Sequence, residues 1–422
     1  MGSLVLWASV AVVAAVAGAV ALYMILAWLL DIDPHPEAAT EAQQKLLADM
    51  VKIALGLAAG VGAAVALIVG YRRARVDESA SFRDDRRLFS SRYQDAAELI
   101  GHDQASVRLA GIYAMARLAD DWDEQRQQCI DVLCAYLRLP YAPDTDETGP
   151  YPSVKRRRAR VTADGAGGRH GEREVRHTVI RLINEHLQHE EQEQLNAPPT
   201  WNGYRFDFTG AVFDSGDFSG AEFSRGTHVT FRDARFLGGT VDFSDAIFSG
   251  GVVDFTLAEF SDIPARRRQT VTFTGAKFSG GTVYFPSAEF SSGAVDFLGA
   301  EFSGGEVDFG GATFSGSLIS LGTATFSGGS MYFSGTTLSG GIVDFFSATF
   351  NGGAVNFADA KFAGGSLKFD DATFAGGTVS FNDARFSGSE VDLSTAVLAP
   401  GGIAPQGLPG DSTEGLRLPT WM

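Results

Sequence analysis

The sequence predicts an α+β chain of several domains: an N-terminal transmembrane helical hairpin, a small α-helical unit and a C-terminal four-sided β-solenoid. Three observations point there. Residues from about Thr230 to Leu398 repeat with a period of twelve, two uncharged apolar runs lie near the N-terminus, and the stretch between them spaces its apolar residues as helices do.

The repeat reads V-x-F-x-x-A-x-F-x-G-G-x, as in VDFSDAIFSGGV from Val241. Its two large apolar residues stand five apart, and a small or branched residue stands two before each. Residues two apart share one side of an extended segment, so each repeat should send four side chains inward and its polar residues outward. The expected core ladder includes Phe243 and Phe248, Phe285 and Phe290, Phe297 and Phe302, Phe309 and Phe314, Phe345 and Phe350, Phe357 and Phe362, and Phe369 and Phe374. The Gly-Gly steps, such as Gly250-Gly251, Gly328-Gly329 and Gly376-Gly377, are read as corners that need unusual backbone angles. A coil of one repeat would be too narrow for two Phe, a Val and an Ala, which favours two repeats, about twenty-four residues, per coil.

Just upstream, FTGAVFDSGDFSGAEF steps by five from Phe208 through Phe213 and Phe218 to Phe223, with Ala211, Gly216 and Ala221 two residues ahead. This stretch resembles pentapeptide-repeat proteins. The resemblance implies a right-handed quadrilateral β-helix of about twenty residues per coil, with Phe or Leu stacked at the centre of each face. The twelve-residue section is similar to a Phe-rich variant in which alternate faces gain two residues at a Gly-Gly corner. Activity does not follow from the resemblance, because one fold hosts unrelated functions.

Leu4 to Leu30 is an uncharged apolar run, longer than the roughly 20 residues a membrane-spanning helix needs. It lacks a basic leader and exceeds the apolar core of about 7–15 residues in a signal peptide, so it reads as a retained anchor. A second run, Ile53 to Gly70, follows the connector DIDPHPEAATEAQQ and ends in Tyr71-Arg72-Arg73-Ala74-Arg75. Basic residues at that end and an acidic connector place the connector outside and the remainder in the cytoplasm, making a multi-pass protein of the cell membrane with two spans. Gly56 and Gly60 form a GxxxG pattern, which in a segment this rich in Gly and Ala reads as a consequence of composition, with a helix-packing face that brings copies of the chain together as the alternative.

Next comes the α-helical unit. SRYQDAAELIG ends at Gly101, Asp103 is expected to cap the following helix, Asp121 or Asp123 to cap a third, and Pro140 to stop it. The segment VRLAGIYAMARLADD resembles the helical stretch that precedes the repeats in actinobacterial pentapeptide-repeat proteins, which would make the source bacterial. The expected division is 1–75 for the anchor (spans at about 4–30 and 53–70), 76–140 for the helical unit and 141–171 for a linker. A helix over 172–195 then leads into the solenoid over 200–398, followed by an irregular tail over 399–422. The linker's Lys155-Arg156-Arg157-Arg158-Ala159-Arg160 reads as a solvated loop rather than a site for lipid or nucleic acid.

No catalytic, cofactor-binding or metal-binding set is expected. His177, His186 and His189 do not share a ligand face, and the two cysteines, Cys129 and Cys134, read as packed thiols of a reducing compartment. Asp242 with Asp245 and Asp370 with Asp371 occupy outward positions without a cleft, so they read as solvated surface rather than acid and base. The Gly-Gly corners lack the period of nine and the Gly-x-Asp of calcium-binding solenoids. Phe260 to Phe273 is longer than the repeat allows, and the excess, with Arg266, Arg267 and Arg268, should loop off the solenoid as an interaction loop. Residues 201 to 400 carry 22 acidic and 11 basic residues, a net charge of −11 that disfavours direct nucleic-acid binding. The function expected is that of a membrane-anchored, non-enzymatic interaction or scaffold protein with an unidentified protein partner. The alternatives are an acidic rod that imitates DNA on an enzyme such as gyrase, a role the resemblance brings to mind, and a spacer with no partner.

Overall fold

The computed structural model describes residues 16–25, 27–29, 40–143, 171–188, 199–261, 270–408 and 415–421. The chain forms two compact units, Met1–Ser90 and Ser91–Met422. Most of the first apolar run, the connector up to 39, the basic linker, His189 and Arg266 to Arg268 lie outside the described residues.

In the first unit a short apolar helix, α1 (Val16–Leu29), precedes the N-terminal part of α2 (Glu41–Ile100). Within α2, Gln44–Arg75 is long and apolar enough to cross a membrane, and it is the one such helix among the described residues. The expected break between a second span and a separate helix ending at Gly101 does not exist. No Pro interrupts the sequence from Gly70 to Ser91, and its Arg, Glu, Asp and Ala residues let one helix run on to Ile100.

The second unit begins with the end of α2 and continues through α3 (Ala105–Asp121), α4 (Arg126–Arg138) and α5 (Glu172–Glu185). The helix expected over 172–195 stops at Glu185. None of the expected side-chain caps forms. Gln104 and Gln125 occupy the N-cap positions of α3 and α4, and Asp103 instead uses its carbonyl to accept from Arg108 at 2.6 Å. Asp123 accepts from the Arg126 guanidinium. Gly111 brings the last turn of α2 against α3, since a Cβ there would stand 2.6 Å from the Ile100 nitrogen.

The solenoid follows. Its strands pair in parallel from coil to coil, and two of its three sheets hold eight strands each, giving about eight turns. Phe290 lies opposite Phe314 and Val283 opposite Val307, so one coil is two twelve-residue repeats. Phe260 lies opposite Phe290, so the longer coil keeps register on both sides of the segment between Ser261 and Thr270.

The inward residues form four ladders. One runs through Phe243, Phe273, Phe297, Leu321, Phe345 and Phe369, another through Phe285, Phe309, Phe333 and Phe357, a third through Phe260, Phe290, Phe314, Leu338 and Phe362, and a fourth through Phe248, Phe278, Phe302, Phe326, Phe350 and Phe374; all are buried. Rings stack almost parallel within a ladder, Phe285 on Phe309 at 4.6 Å and Phe345 on Phe369 at 4.8 Å. Rings of opposite ladders meet edge to face across the interior, as Phe273 meets Phe285 at 6.3 Å and 87°, and rings of adjacent ladders are tilted, as Phe285 and Phe290 are at 6.0 Å and 52°. The stacked and edge-to-face geometries suit the ring quadrupole.

The corners correct the reading of glycine. The residue two after the first Phe, not the Gly-Gly pair, takes the left-handed conformation: Asp245 at φ 57°, Leu257 at 59°, Thr323 at 54° and Gly335 at 66°. It closes a turn in which the N–H of the Ala that follows it donates back to the Phe carbonyl three residues earlier, as Ala258 donates to Phe255 at 3.0 Å. Most Gly-Gly steps have ordinary φ and are glycine because of crowding. The N–H groups of Ser303, Gly304 and Gly305 all converge on the Phe278 carbonyl, at 2.9, 3.2 and 3.0 Å. A Cβ on Gly305 would stand 2.9 Å from both the Gly281 oxygen and the Phe278 Cβ.

Candidate interaction surface

A solenoid is open at both ends, and exposed strand edges invite unwanted pairing. Here the helices close the first coil with side chains that imitate a strand. The Gln127 amide donates to the Arg205 carbonyl at 2.8 Å and accepts from the Arg205 N–H at 2.9 Å. Arg176 is buried, donates to the carbonyls of Leu137 at 2.6 Å and Val212 at 3.0 Å, and lies over the Tyr141 ring at 4.4 Å. The Leu187 carbonyl accepts from the Glu222 N–H, and Trp201 is buried beneath, stacked on His186 at 3.9 Å. At the far end the tail expected to be irregular adds Leu416–Arg417 as a strand beside Val391 and Asp392, and Trp421 donates to the Ala396 carbonyl at 2.7 Å.

The polar groups at the helical end are engaged in this closure. Asp214 is buried and accepts from Tyr141 at 3.0 Å and Arg173 at 2.9 Å, with His177 Nε2 at 3.1 Å. Burial alone would raise its pKa; the hydrogen bonds and charges of His177, Arg173 and Tyr141 outweigh that and hold it at about 2. Ser215 Oγ lies 2.9 Å from the same His177 nitrogen, so these three residues do not form a Ser-His-Asp relay, which needs both ring nitrogens. An open cleft of about 560 Å³ is lined by Arg92, Tyr113, Arg117, Asp120, Glu185 and His186. Its Asp120 already accepts from Trp201 Nε1 at 3.0 Å and faces His186 at 3.1 Å. Cys129 and Cys134 are buried, and desolvation pushes both thiols up, Cys129 to about 11, which leaves little thiolate at neutral pH.

Along the solenoid the carboxylates expected to be simple solvated surface have a local task. The Asp of V-D-F accepts from the backbone N–H two residues on, Asp242 from Ser244 at 2.8 Å, Asp308 from Gly310 at 2.7 Å and Asp344 from Phe346 at 3.0 Å. Asp245 and Asp371 are the left-handed turn residues themselves. The period hid this role, because an Asx turn and a solvated Asp leave the same letter in the same column.

The family profile described as pentapeptide repeats, nine copies, matches residues 208–262, the stretch in which parallel strands first stack into a four-ladder coil. This is a pentapeptide-repeat protein. Among solved structures the solenoid is similar to HetL, a pentapeptide-repeat protein involved in heterocyst differentiation regulation from the cyanobacterium Nostoc sp. strain PCC 7120. The identity is 15%, the alignment covers 49% of this chain and 93% of HetL, and the TM-score is 0.16, so the likeness says nothing about what the present chain does. No curated protein matches the sequence significantly.

Proposed function

We propose that this pentapeptide-repeat protein is a membrane-anchored, non-enzymatic scaffold whose solenoid presents its outer faces to a protein partner. The observation that carries the reading is the commitment of its polar chemistry. The V-D-F carboxylates hold their own turns, and the Asp214 cluster and buried thiols serve packing, which leaves an extended, regular surface as what the solenoid offers. In this reading residues 1–75 anchor the chain by two spans, and the helical unit and solenoid face the cytoplasm.

Two experiments test it. Affinity capture of the detergent-solubilised full chain, compared with a chain lacking residues 230–398, should recover a partner that depends on the solenoid and recaptures the chain when the tag is moved to the partner. Identical recovery from both would refute the scaffold. A reporter fused after Met422 should label as cytoplasmic and one inserted near Pro36 as extracytoplasmic. The DNA-mimic reading is disfavoured because residues 309–343 carry no charge and so break any continuous acidic row. Inhibition of gyrase supercoiling by the full chain, weakening with salt, would restore it.

A further inference from the structure

Residues 309–343 hold no Asp, Glu, Lys or Arg, a charge-free collar around the solenoid longer than any other such stretch of the sequence. Four large apolar side chains are exposed in or beside it: Leu298 (44%), Leu318 (38%), Ile342 (39%) and Phe346 (48%). They share one face. Leu318 lies opposite Ile342 in the next coil, with Ala294 opposite Leu318 on the other side. Leu298, Gly322 and Phe346 occupy the same turn position in those three coils, and Leu298 leans over Gly322, its Cδ1 3.1 Å from where a Cβ would stand. With coils about 4.8 Å apart and about 3.3 Å per residue along a strand, the patch spans roughly 10 by 13 Å. Single exposed apolar residues need no explanation, but a contiguous group on a polar solenoid does.

Charge selects the occupant. From 278 to 360 the sequence contains no Lys or Arg, and its carboxylates are Glu289, Asp296, Glu301, Glu306, Asp308, Asp344 and Asp359. A second copy is disfavoured: a two-fold pairing centred on the Leu318–Ser320 row sets Asp296 of one copy against Asp344 of the other. An anionic lipid surface would be repelled by the same carboxylates.

We infer that this face binds a segment of another protein in which apolar side chains alternate with or are flanked by Lys and Arg, the apolar groups on Leu298, Leu318, Ile342 and Phe346 and the cations toward Asp296, Glu301 and Asp344. The inference rests on the scaffold reading and narrows it to one surface and one partner chemistry.

The test uses the full chain in nanodiscs of zwitterionic lipid, with a fluorescent peptide of alternating Leu and Lys and a counterpart of alternating Leu and Glu. The Leu-Lys peptide should bind and the Leu-Glu peptide should not. Leu298→Ser with Phe346→Ser, which leaves the charge unchanged, should weaken binding at least about tenfold. Leu257→Ser, an exposed apolar change elsewhere on the solenoid, should leave it unaltered, and all variants should melt with the wild type. Equal binding of wild type and the Leu298/Phe346 variant would reduce the effect to bulk charge and overturn the assignment. So would failure of the Leu-Lys peptide to bind, or a wild-type dimer made monomeric by Phe346→Ser, which would assign the face to a second copy. Solenoid-dependent partner capture that survives in the Leu298/Phe346 variant would leave the scaffold standing and remove only this site.

Discussion

Replacing Gly305 by Ala separates two reasons for a corner glycine. If backbone angles alone decided the cost of losing a glycine, Gly305→Ala should cost little, since Gly305 is not among the positive-φ residues, and Gly335→Ala, at φ 66°, should cost more. The structure implies the reverse. The new methyl at 305 would stand 2.9 Å from the Gly281 oxygen and from the Phe278 Cβ, and 3.1 Å from the Phe278 carbonyl carbon, against an ordinary contact of about 3.4–4 Å. All of these atoms belong to the stacked coil beneath, so relief requires that coil to move by about half an ångström against its hydrogen-bonded neighbours. Overpacking of this kind costs about 1–3 kcal/mol, and the rigid partners place Gly305→Ala in the upper half of that range. At Gly335 nothing lies within 4 Å, and the left-handed conformation costs an Ala about 1 kcal/mol, partly offset by the reduced freedom of the unfolded chain. For a solenoid of this length each kcal/mol moves the melting temperature by about 2–4 °C, so Gly305→Ala should lower it by roughly 4–12 °C and Gly335→Ala by roughly 2–4 °C, read by far-UV circular dichroism of the full chain. An equal or larger loss for Gly335→Ala would refute the crowding argument.

Truncating Phe309, stacked between Phe285 at 4.6 Å and Phe333 at 5.0 Å, to Ala should cost about 3–5 kcal/mol in urea unfolding, and Ala312→Leu about 1–3 kcal/mol; values below about 1 kcal/mol for Phe309 would contradict its place in a dry ladder. The Asp214 pKa of about 2 lies below the usual carboxylate value of about 3.9, so its stabilisation is complete above pH 4 and disappears as pH falls towards 2. Asp214→Asn should therefore be less stable than wild type at pH 7 by about 2 kcal/mol, and the difference should vanish near pH 2; a constant difference across that window would exclude linkage through this group. Gln127→Ala removes both hydrogen bonds to Arg205 and should cost about 1 kcal/mol, with faster amide exchange confined to the first coil; unchanged exchange there would show that the edge closes without it.

The sequence was most legible where its constraints repeat. A buried Phe column every twelve residues and an Ala two before each leave a periodic signal because every coil meets the same neighbour above and below. The glycine pair was visible, but its cause was not: a residue chosen for lack of volume and one chosen for its angles look alike until the distance to the coil beneath is known. Thr323 and Leu257 hold the left-handed position without the letter that usually marks it. The closure of the first coil by Gln127 and Arg176 had no signature, since its partners lie 78 and 36 residues away. The helix boundaries around Asp103 and Asp121 followed capping preference, yet the ends form where Arg108 and Arg126 draw the acidic residues or their carbonyls aside. The apolar patch also escaped notice, because Leu298 and Phe346 come together only when coils stack two repeats at a time.

The two-repeat coil gives this molecule a phase as well as a length. Deleting a full coil of about twenty-four residues would restore every ladder and shorten the stack by one step of about 4.8 Å. Deleting a single repeat would also restore an apolar residue at every inward position, but all residues beyond the cut would then emerge half a turn around the axis. Within this architecture the azimuth of any surface group is thus set by the parity of the repeats before it. A single twelve-residue step would carry Leu318, Ile342 and Phe346 to the side opposite the one they now share with Asp242 and Thr272.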